Sequence, residues 1–77
     1  MDEDYADRVQ KRFGARMRQI RKSVKPKLTQ EALADIAGID RSYTGKVERG
    51  ESNVSLVNIN RIADALKVEV AELFRED

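Results

Sequence analysis

The stretch that decides the fold is residues 29–50, which run TQEALADIAGIDRSYTGKVERG. Its first half predicts a short helix from Leu28 to Gly38. Thr29 can accept a hydrogen bond at the helix N-terminus, and Gly38 can adopt the positive φ at which helices commonly stop. The spacing of the apolar residues indicates one compact buried face, formed by Ala32, Leu33, Ile36 and Ala37.

The second half of this stretch predicts another short helix, from Arg41 to Arg49, with Asp40 as its N-cap. Its only large apolar residues are Tyr43 and Val47, and the rest of its circumference is hydrophilic. Gly45 lies in its interior, where glycine costs about 1 kcal/mol relative to alanine. Such a helix is poorly suited to a protein core, and its composition favours contact with a polar partner along one face.

Three further helices are predicted outside this stretch, and they indicate an all-α fold. The first runs from Tyr5 to about Ser23, the fourth follows an N-cap at Ser55, and a short one spans Val70–Phe74. The first helix has an apolar stripe of Val9, Phe13, Met17 and Ile20. The fourth has a stripe of Leu56, Ile59, Ile62, Ala63 and Leu66, with Val57 off it. With 77 residues, the chain is expected to form one compact five-helix domain over residues 1–77.

The net charge of +1 conceals a strongly uneven charge distribution. The N-terminal extension, residues 1–7, holds four acids and no base, whereas residues 8–27 hold nine Lys or Arg and no acid. Residues 28–50 sum to −1 and residues 51–77 to −3. The basic segment is either a binding surface for nucleic acid phosphates or an ordinary solvated helix face.

The composition excludes several classes of function. The chain has no cysteine and no histidine, so the common zinc ligands and the commonest general base are missing. We therefore expect neither an enzyme nor a bound metal or cofactor. No apolar run is long enough to cross a membrane, and the acidic N-terminus is unlike a secretory signal, so a cytoplasmic location is expected.

Two short helices joined by a tight, glycine-containing turn form a helix-turn-helix. In this motif the first helix crosses the DNA backbone and the second lies in the major groove. The second helix here carries hydrogen-bond donors at Arg41, Ser42 and Lys46. Because arginine is the commonest reader of guanine, the pattern predicts sequence-specific binding to double-stranded DNA.

The same residues resemble a known family, the Cro/repressor-type (XRE) helix-turn-helix regulators. The resemblance covers about residues 13–74 and lies in QEALA (30–34), AGI (37–39), Tyr43, VERG (47–50), NVSL (53–56) and RIADAL (61–66). Within that family the chain is most similar to the controller proteins of restriction-modification systems, through DRSY (40–43), VERG and NVSL.

The resemblance implies a lambda-repressor-like fold and a homodimer that binds a palindromic operator, with RNA polymerase as a further partner. It also implies roles for single residues. Arg41 would read bases, Ser42 and Tyr43 would touch base or backbone, and phosphates would be held by Gln30, Lys46, Arg49 and the loop at Asn53. Arg21 and Glu48 match a family ion pair that links helix 1 to helix 3, which we prefer to a catalytic role for Glu48.

Several alternatives stay open at this point. The chain could be a phage-type repressor or an antitoxin-like regulator, or an adaptor that keeps the fold without binding DNA. Ser42 could cap its own helix, and Tyr43 could belong to the core. The residues expected at a dimer seam, or else as ordinary exposed surface, are Val57, Asn60, Val68 and Phe74.

The sequence departs from the family pattern in two places. The connection at residues 23–27 is about two residues longer than usual and carries Pro26 in place of a glycine, which is expected to shift Lys25 and Lys27 relative to DNA. Thr44 replaces a larger aliphatic residue, which is expected to loosen the packing under helix 3.

Overall fold

The structure, a computed structural model, describes residues 3–76. Its elements are α1 (Glu3–Ser23), α2 (Gln30–Ala37), α3 (Arg41–Glu48), α4 (Leu56–Leu66) and a C-terminal 3₁₀ helix (Val70–Phe74). Residues 3–76 contain no strand, which confirms the all-helical prediction. The fifth predicted helix is present as a 3₁₀ helix, so the α-helices number four within the described range.

The helix ends are set by the residues that the sequence indicated. Backbone N–H groups donate to three N-cap side chains: that of Ala32 to Thr29 at 3.0 Å, that of Ser42 to Asp40 at 3.0 Å, and that of Asn58 to Ser55 at 3.1 Å. Each such cap typically stabilises a helix by about 1 kcal/mol. Gly38 closes α2 in the left-handed conformation, with φ of 72°. The turn between α2 and α3 is therefore specified by local chemistry.

The first helix begins earlier than predicted. It starts at Glu3 rather than Tyr5, so residues 3–7 of the acidic N-terminal extension are helical. Acidic side chains are favourable in the first turn of a helix because they oppose its dipole. Asp7 also pairs with Lys11 one turn later, at 3.1 Å. Met1 and Asp2, the rest of the predicted acidic extension, lie outside the described residues.

The core lies where all five elements meet. Its buried apolar members are Phe13, Met17, Ile20, Leu33, Ala37, Val47, Ile62, Ala63, Ala65, Leu66 and Leu73. Val9 is only half-buried. Two residues expected in the core are exposed: Ile36, with 63% of its surface accessible, and Leu56, with 75%. Their helices pack through neighbouring positions instead, and Ala34, which was not predicted to be buried, is 1% exposed.

Thr44, the smaller residue under α3, is fully buried. Its hydroxyl donates to the backbone carbonyl of Asp40 at 3.2 Å, so the polar atom keeps a partner inside the core. The loosening expected from this residue remains a prediction.

Two glycines allow α1 to pass close to the C-terminal end of α3. A Cβ on Gly14 would clash with the backbone carbonyl oxygens of Val47 and Glu48. A Cβ on Gly50 would lie 2.6 Å from the Cα of Lys11, and Gly50 also has a φ of +76°. These close approaches place α1 directly beside the end of the helix that the sequence predicts to bind DNA.

The connection between α1 and α2 is partly anchored to the core. Val24 and Leu28 pack against the buried cluster, whereas Lys25, Pro26 and Lys27 are exposed. The peptide bond between Lys25 and Pro26 is cis. The expected shift of the two lysines relative to DNA remains a prediction.

Candidate nucleic-acid interface

The exposed side of α3 forms an open hollow together with the start of α2. The hollow is lined by Gln30, Arg41, Ser42, Gly45, Lys46 and Arg49. The structure therefore brings together five of the seven residues expected to contact DNA. The other two, Tyr43 and Asn53, lie outside this hollow.

Both arginines of the hollow pair with acidic neighbours. Arg41 lies 3.4 Å from the carboxylate of Glu31 on α2, and both side chains are well exposed. Arg49 makes two hydrogen bonds to Glu51, of 3.1 Å and 3.2 Å. Exposed ion pairs contribute at most about 1 kcal/mol, so a phosphate or a base edge can displace either acid.

Gln30, the first residue of α2, contacts a protein group in the free chain. Its Nε2 donates to Oε1 of Glu48 at 2.9 Å, and the side chain is half-buried. The backbone N–H groups in the first turn of a helix lack partners within the helix and favour anions. The start of α2 thus offers backbone donors next to α3, while the Gln30 side chain braces the two helices.

Arg21 and Glu48 form a nearly solvent-free ion pair behind the hollow. The Arg21 Nε and Nη2 atoms donate to the two Glu48 carboxylate oxygens, at 2.6 Å and 3.0 Å. A third hydrogen bond, from Nη1 to the carbonyl of Leu28, measures 2.9 Å. One guanidinium therefore ties α1 to the segment just before α2 and to α3, which positions the hollow's two helices relative to each other.

Ser42 and Tyr43 each make a hydrogen bond within the protein. The sequence alone did not decide between such contacts and contacts with DNA. The Ser42 hydroxyl donates to Oδ1 of Asp40 at 3.1 Å, so Ser42 supports the N-cap residue and does not itself cap the helix. Tyr43 packs against the core, and its hydroxyl accepts a hydrogen bond from Asn58 at 3.3 Å. Asn53 is exposed and lies in a second hollow, whose other lining residues are Tyr5, Ala6, Val9 and Gln10 of α1.

The sequence did not reveal that Arg41 and Arg49 pair with acidic side chains, or that Gly45 leaves room for the Arg49 side chain. Residue 45 is buried against the Arg49 side chain, and a Cβ there would lie 3.1 Å from Arg49 Nη1. The missing side chain thus lets Arg49 fold back over α3. An interior glycine in a polar helix was the one available signal of this close approach. Glu51 stands only two residues from Arg49, but nothing in their spacing indicated a paired geometry.

Much of the basic segment at residues 8–27 is neutralised within the protein. Besides Arg21, Arg12 lies 3.2 Å from Glu76, and Arg16 lies 3.2 Å from the carboxylate of Glu72. Arg16 also donates to the Glu72 backbone carbonyl at 2.8 Å. These cations join α1 to the acidic C-terminal part of the chain. The hollow on α3, rather than this run, is the better candidate for contact with DNA.

The residues expected at a dimer seam divide into two groups. Val57 and Asn60 are exposed on α4, next to the exposed Leu56. Val68 is half-buried against the core. Phe74 is half-exposed, and its ring packs on Phe13 with a centroid distance of 5.3 Å. The apolar surface on α4 is thus larger than predicted, while the C-terminal residues also stabilise the domain itself.

None of the helices in the described part of the chain combines the length and apolar composition that a bilayer crossing requires. Residues 3–76 also contain no group of acidic side chains placed to hold a metal ion.

Comparison with known proteins identifies relatives along most of the chain. The helix-turn-helix family HTH_3 matches residues 17–73. Control protein C.MunI from Mycoplasma sp is 40% identical over 65 residues, which are 84% of this chain and 86% of that protein. Control protein C.BamHI from Bacillus amyloliquefaciens is 46% identical over 61 residues, covering 79% of this chain and 74% of its own length.

A solved structure agrees with these relatives. The restriction-modification controller protein C.AhdI from Aeromonas hydrophila superposes with a TM-score of 0.80 at 52% sequence identity, covering 84% of this chain and 96% of that one. The fold, and the sequence that forms it, are therefore similar to those of a controller protein over nearly its whole length.

Proposed function

The chain belongs to the helix-turn-helix family HTH_3, together with restriction-modification controller proteins, and we propose that it binds a palindromic operator as a homodimer. It is a DNA-binding transcriptional regulator and not an enzyme. Its similarity to three control proteins and to the structure of a fourth supports a restriction-modification operon as its target. A cytoplasmic location fits this function.

The polar, exposed face of α3 carries the proposal. An α-helix with its side chains is about 10–12 Å across and the DNA major groove is about 12 Å wide, so α3 can lie in that groove. Arg41, Ser42, Lys46 and Arg49 all line one hollow, next to the backbone donors at the start of α2. Arg41 and Arg49 have only exposed carboxylates as partners within the protein, so an anionic partner such as DNA can bind this face.

We assign distinct roles to the residues of this face. Arg41, at the start of α3, reads a guanine edge, because N-terminal residues of the second helix contact bases. Lys46 and Arg49, farther along the helix, contact phosphates, as does the start of α2 at Gln30. Ser42 and Tyr43 touch base or backbone, and the loop at Asn53 contacts the backbone.

Exposed apolar residues on α4 support dimer formation. Leu56 and Val57 are adjacent apolar residues that remain largely exposed, and Asn60 lies one turn further along the same helix. Covering them with a second copy would add buried surface to a small domain, with Val68 and Phe74 completing the seam. Two-fold symmetry then matches two half-sites about one helical turn apart. RNA polymerase is a further partner of the bound dimer.

Binding to DNA from upstream of the gene tests the proposal. A duplex that holds the inverted repeat found there is compared with a scrambled duplex of equal composition, by fluorescence anisotropy at several salt concentrations. Specific binding should be tighter than scrambled binding at physiological salt and should weaken steeply with salt, because phosphate contacts release counterions. Equal affinity for both duplexes would contradict a sequence-specific regulator and favour the adaptor alternative.

One relative favours a second candidate function. The immunity repressor protein of Bacillus phage phi105 is 39% identical over 64 residues, but this chain spans only 43% of its length. A phage-type repressor and a controller protein would both pass the binding test. The two kinds of regulator differ in the genes that lie next to their operator, since the operator of a controller protein lies beside restriction and modification genes.

A further inference from the structure

Arg49 and Glu51 form an ion pair with two hydrogen bonds at the C-terminal end of α3. The Nε and Nη2 atoms of Arg49 donate to the two carboxylate oxygens of Glu51, at 3.1 Å and 3.2 Å. A carboxylate bound in this way uses two parallel N–H groups of the guanidinium, which is the same arrangement that a phosphate uses. Glu51 thus covers an edge of Arg49 that would otherwise face DNA.

The backbone holds Glu51 in this position. Gly50 has a φ of +76° and turns the chain back towards α3. The N–H of Glu51 then donates to the carbonyl of Lys46 at 2.9 Å, and that of Gly50 donates to Val47 at 3.0 Å. These bonds close the C-terminus of α3. The backbone conformation at this helix end therefore places Glu51 next to Arg49.

Electrostatics keeps this carboxylate charged. The hydrogen bond from Arg49 lowers the pKa of Glu51 from its ordinary value of 4.5, and the nearby charges of Arg49 and Lys46 lower it further. At neutral pH the side chain is therefore negatively charged, paired with Arg49 and under the electrostatic influence of Lys46, and both cations line the hollow.

We propose that Glu51 is an internal competitor for DNA phosphate at Arg49 and lowers the affinity of the chain for all duplexes alike. The proposal rests on the phosphate contact assigned to Arg49. DNA must displace the carboxylate to reach the Nε–Nη2 edge of the guanidinium, and the displaced charge then lies close to the phosphates. Both effects are independent of base sequence, so the preference for the operator is unchanged.

A substitution with a matched control tests this. Glu51→Gln keeps the size of the side chain and removes its charge, and Glu69→Gln makes the same charge change at an exposed residue beyond α4. Glu51→Gln should tighten binding to operator and scrambled duplex equally, by about 2- to 5-fold at low salt, the range that exposed ion pairs span. The slope of log affinity against log salt should steepen by up to about 0.9. Glu69→Gln should change affinity less.

A double-mutant cycle shows whether the effect passes through Arg49. In the Arg49→Gln background, Glu51→Gln should lose most of its gain, because no guanidinium remains to be released. A gain of equal size in both backgrounds would mean that Glu51 acts by general repulsion, and would overturn the proposal. An unchanged affinity for Glu51→Gln would overturn it as well. Both outcomes can be measured on scrambled DNA, so they are separate from a failure of operator recognition.

Discussion

The guanidinium of Arg21 grips the carboxylate of Glu48 through two hydrogen bonds, and their side chains are only 10% and 2% exposed. The pair bridges α1 and α3, while Gln30 and Leu28 bring the start of α2 to the same two side chains. Every buried polar atom of the described side chains has a partner, so this network is complete. It aligns α2 with α3 from behind the hollow on α3.

Removing one member of this pair should therefore destabilise the protein strongly. Arg21→Met leaves the Glu48 carboxylate buried without its counter-charge, which typically costs about 3–5 kcal/mol. The free energy of unfolding, measured by urea titration with circular dichroism, should fall by that amount, or the variant should be unfolded at 25 °C.

The matched control is Arg12→Met, on the same helix. Arg12 and Glu76 form an exposed pair, with side chains 53% and 68% accessible, so this change should cost no more than about 1 kcal/mol. If the two variants lost equal stability, burial would not be what makes the Arg21 pair important.

The roles of Arg41 and Lys46 can be separated by measuring two duplexes. Arg41→Ala should reduce discrimination between operator and scrambled DNA by about 1–3 kcal/mol, because base contacts carry specificity. Lys46→Ala should weaken binding to both duplexes alike and reduce the salt slope by about 0.9, because it removes the proposed phosphate contact. If discrimination survived in Arg41→Ala, the base reader would have to be another residue of the hollow.

The starts of α2, α3 and α4 and the end of α2 could be predicted because their causes are local. Thr29, Asp40 and Ser55 cap the helices that follow them through bonds within three residues, and Gly38 supplies the left-handed turn. The family resemblance pointed to Arg21 and Glu48. The residues that cap the helices are close in sequence to the groups they bind, and the ion pair belongs to a recognisable family motif, so the sequence alone identified both.

The exposure of Ile36 and Leu56 could not be predicted in the same way. Helical periodicity gives the direction of an apolar stripe, but how wide the buried part is depends on where the neighbouring helices lie. The acids facing Arg41 and Arg49 escaped prediction for a related reason. Glu31 reaches Arg41 from another helix, and Glu51 reaches Arg49 through the turn at Gly50.

Dimerisation should depend on the exposed apolar end of α4. Val57 is 62% exposed, so Val57→Asp should leave the monomer's stability nearly unchanged while placing a charge in the proposed seam. Sedimentation across protein concentration should show at least about a tenfold weaker dimer, which corresponds to 1.4 kcal/mol. A wild-type chain that stayed monomeric at tens of micromolar would remove both the seam and the two-half-site arrangement.

The titration of Glu51 should report its contact with Arg49. The hydrogen bond from Arg49 lowers the pKa of this carboxyl, so its midpoint by carboxyl-carbon NMR should fall below 4.5. Because the folded-state pKa is the lower one, the contact stabilises the fold above pH 4.5, and this contribution disappears as pH falls through the lowered midpoint. In Arg49→Gln the midpoint should rise towards 4.5, with Lys46 retaining part of the shift. An unmoved midpoint would mean that the two side chains do not pair in solution.

Two glycines of the same segment should respond to alanine with opposite signs. Gly45 lies inside α3, where alanine gains up to about 1 kcal/mol in helix propensity. The atom nearest to the new Cβ is the flexible end of Arg49, at 3.1 Å, and Gln30 Oε1 lies at an ordinary contact distance of 3.7 Å. Gly45→Ala should therefore raise the free energy of unfolding.

Gly50, in contrast, cannot accept a side chain without strain. Its φ of +76° strains any other residue, by about 1–3 kcal/mol, and a Cβ would approach the backbone of Lys11 to 2.6 Å. Backbone atoms of α1 cannot move away as a side-chain tip can, so Gly50→Ala should destabilise by more than the strain alone. Urea denaturation of both variants measures the difference. A destabilised Gly45→Ala would show that Arg49 is held firmly over α3 rather than resting there, and a tolerated Gly50→Ala would contradict the close contact between α1 and the end of α3.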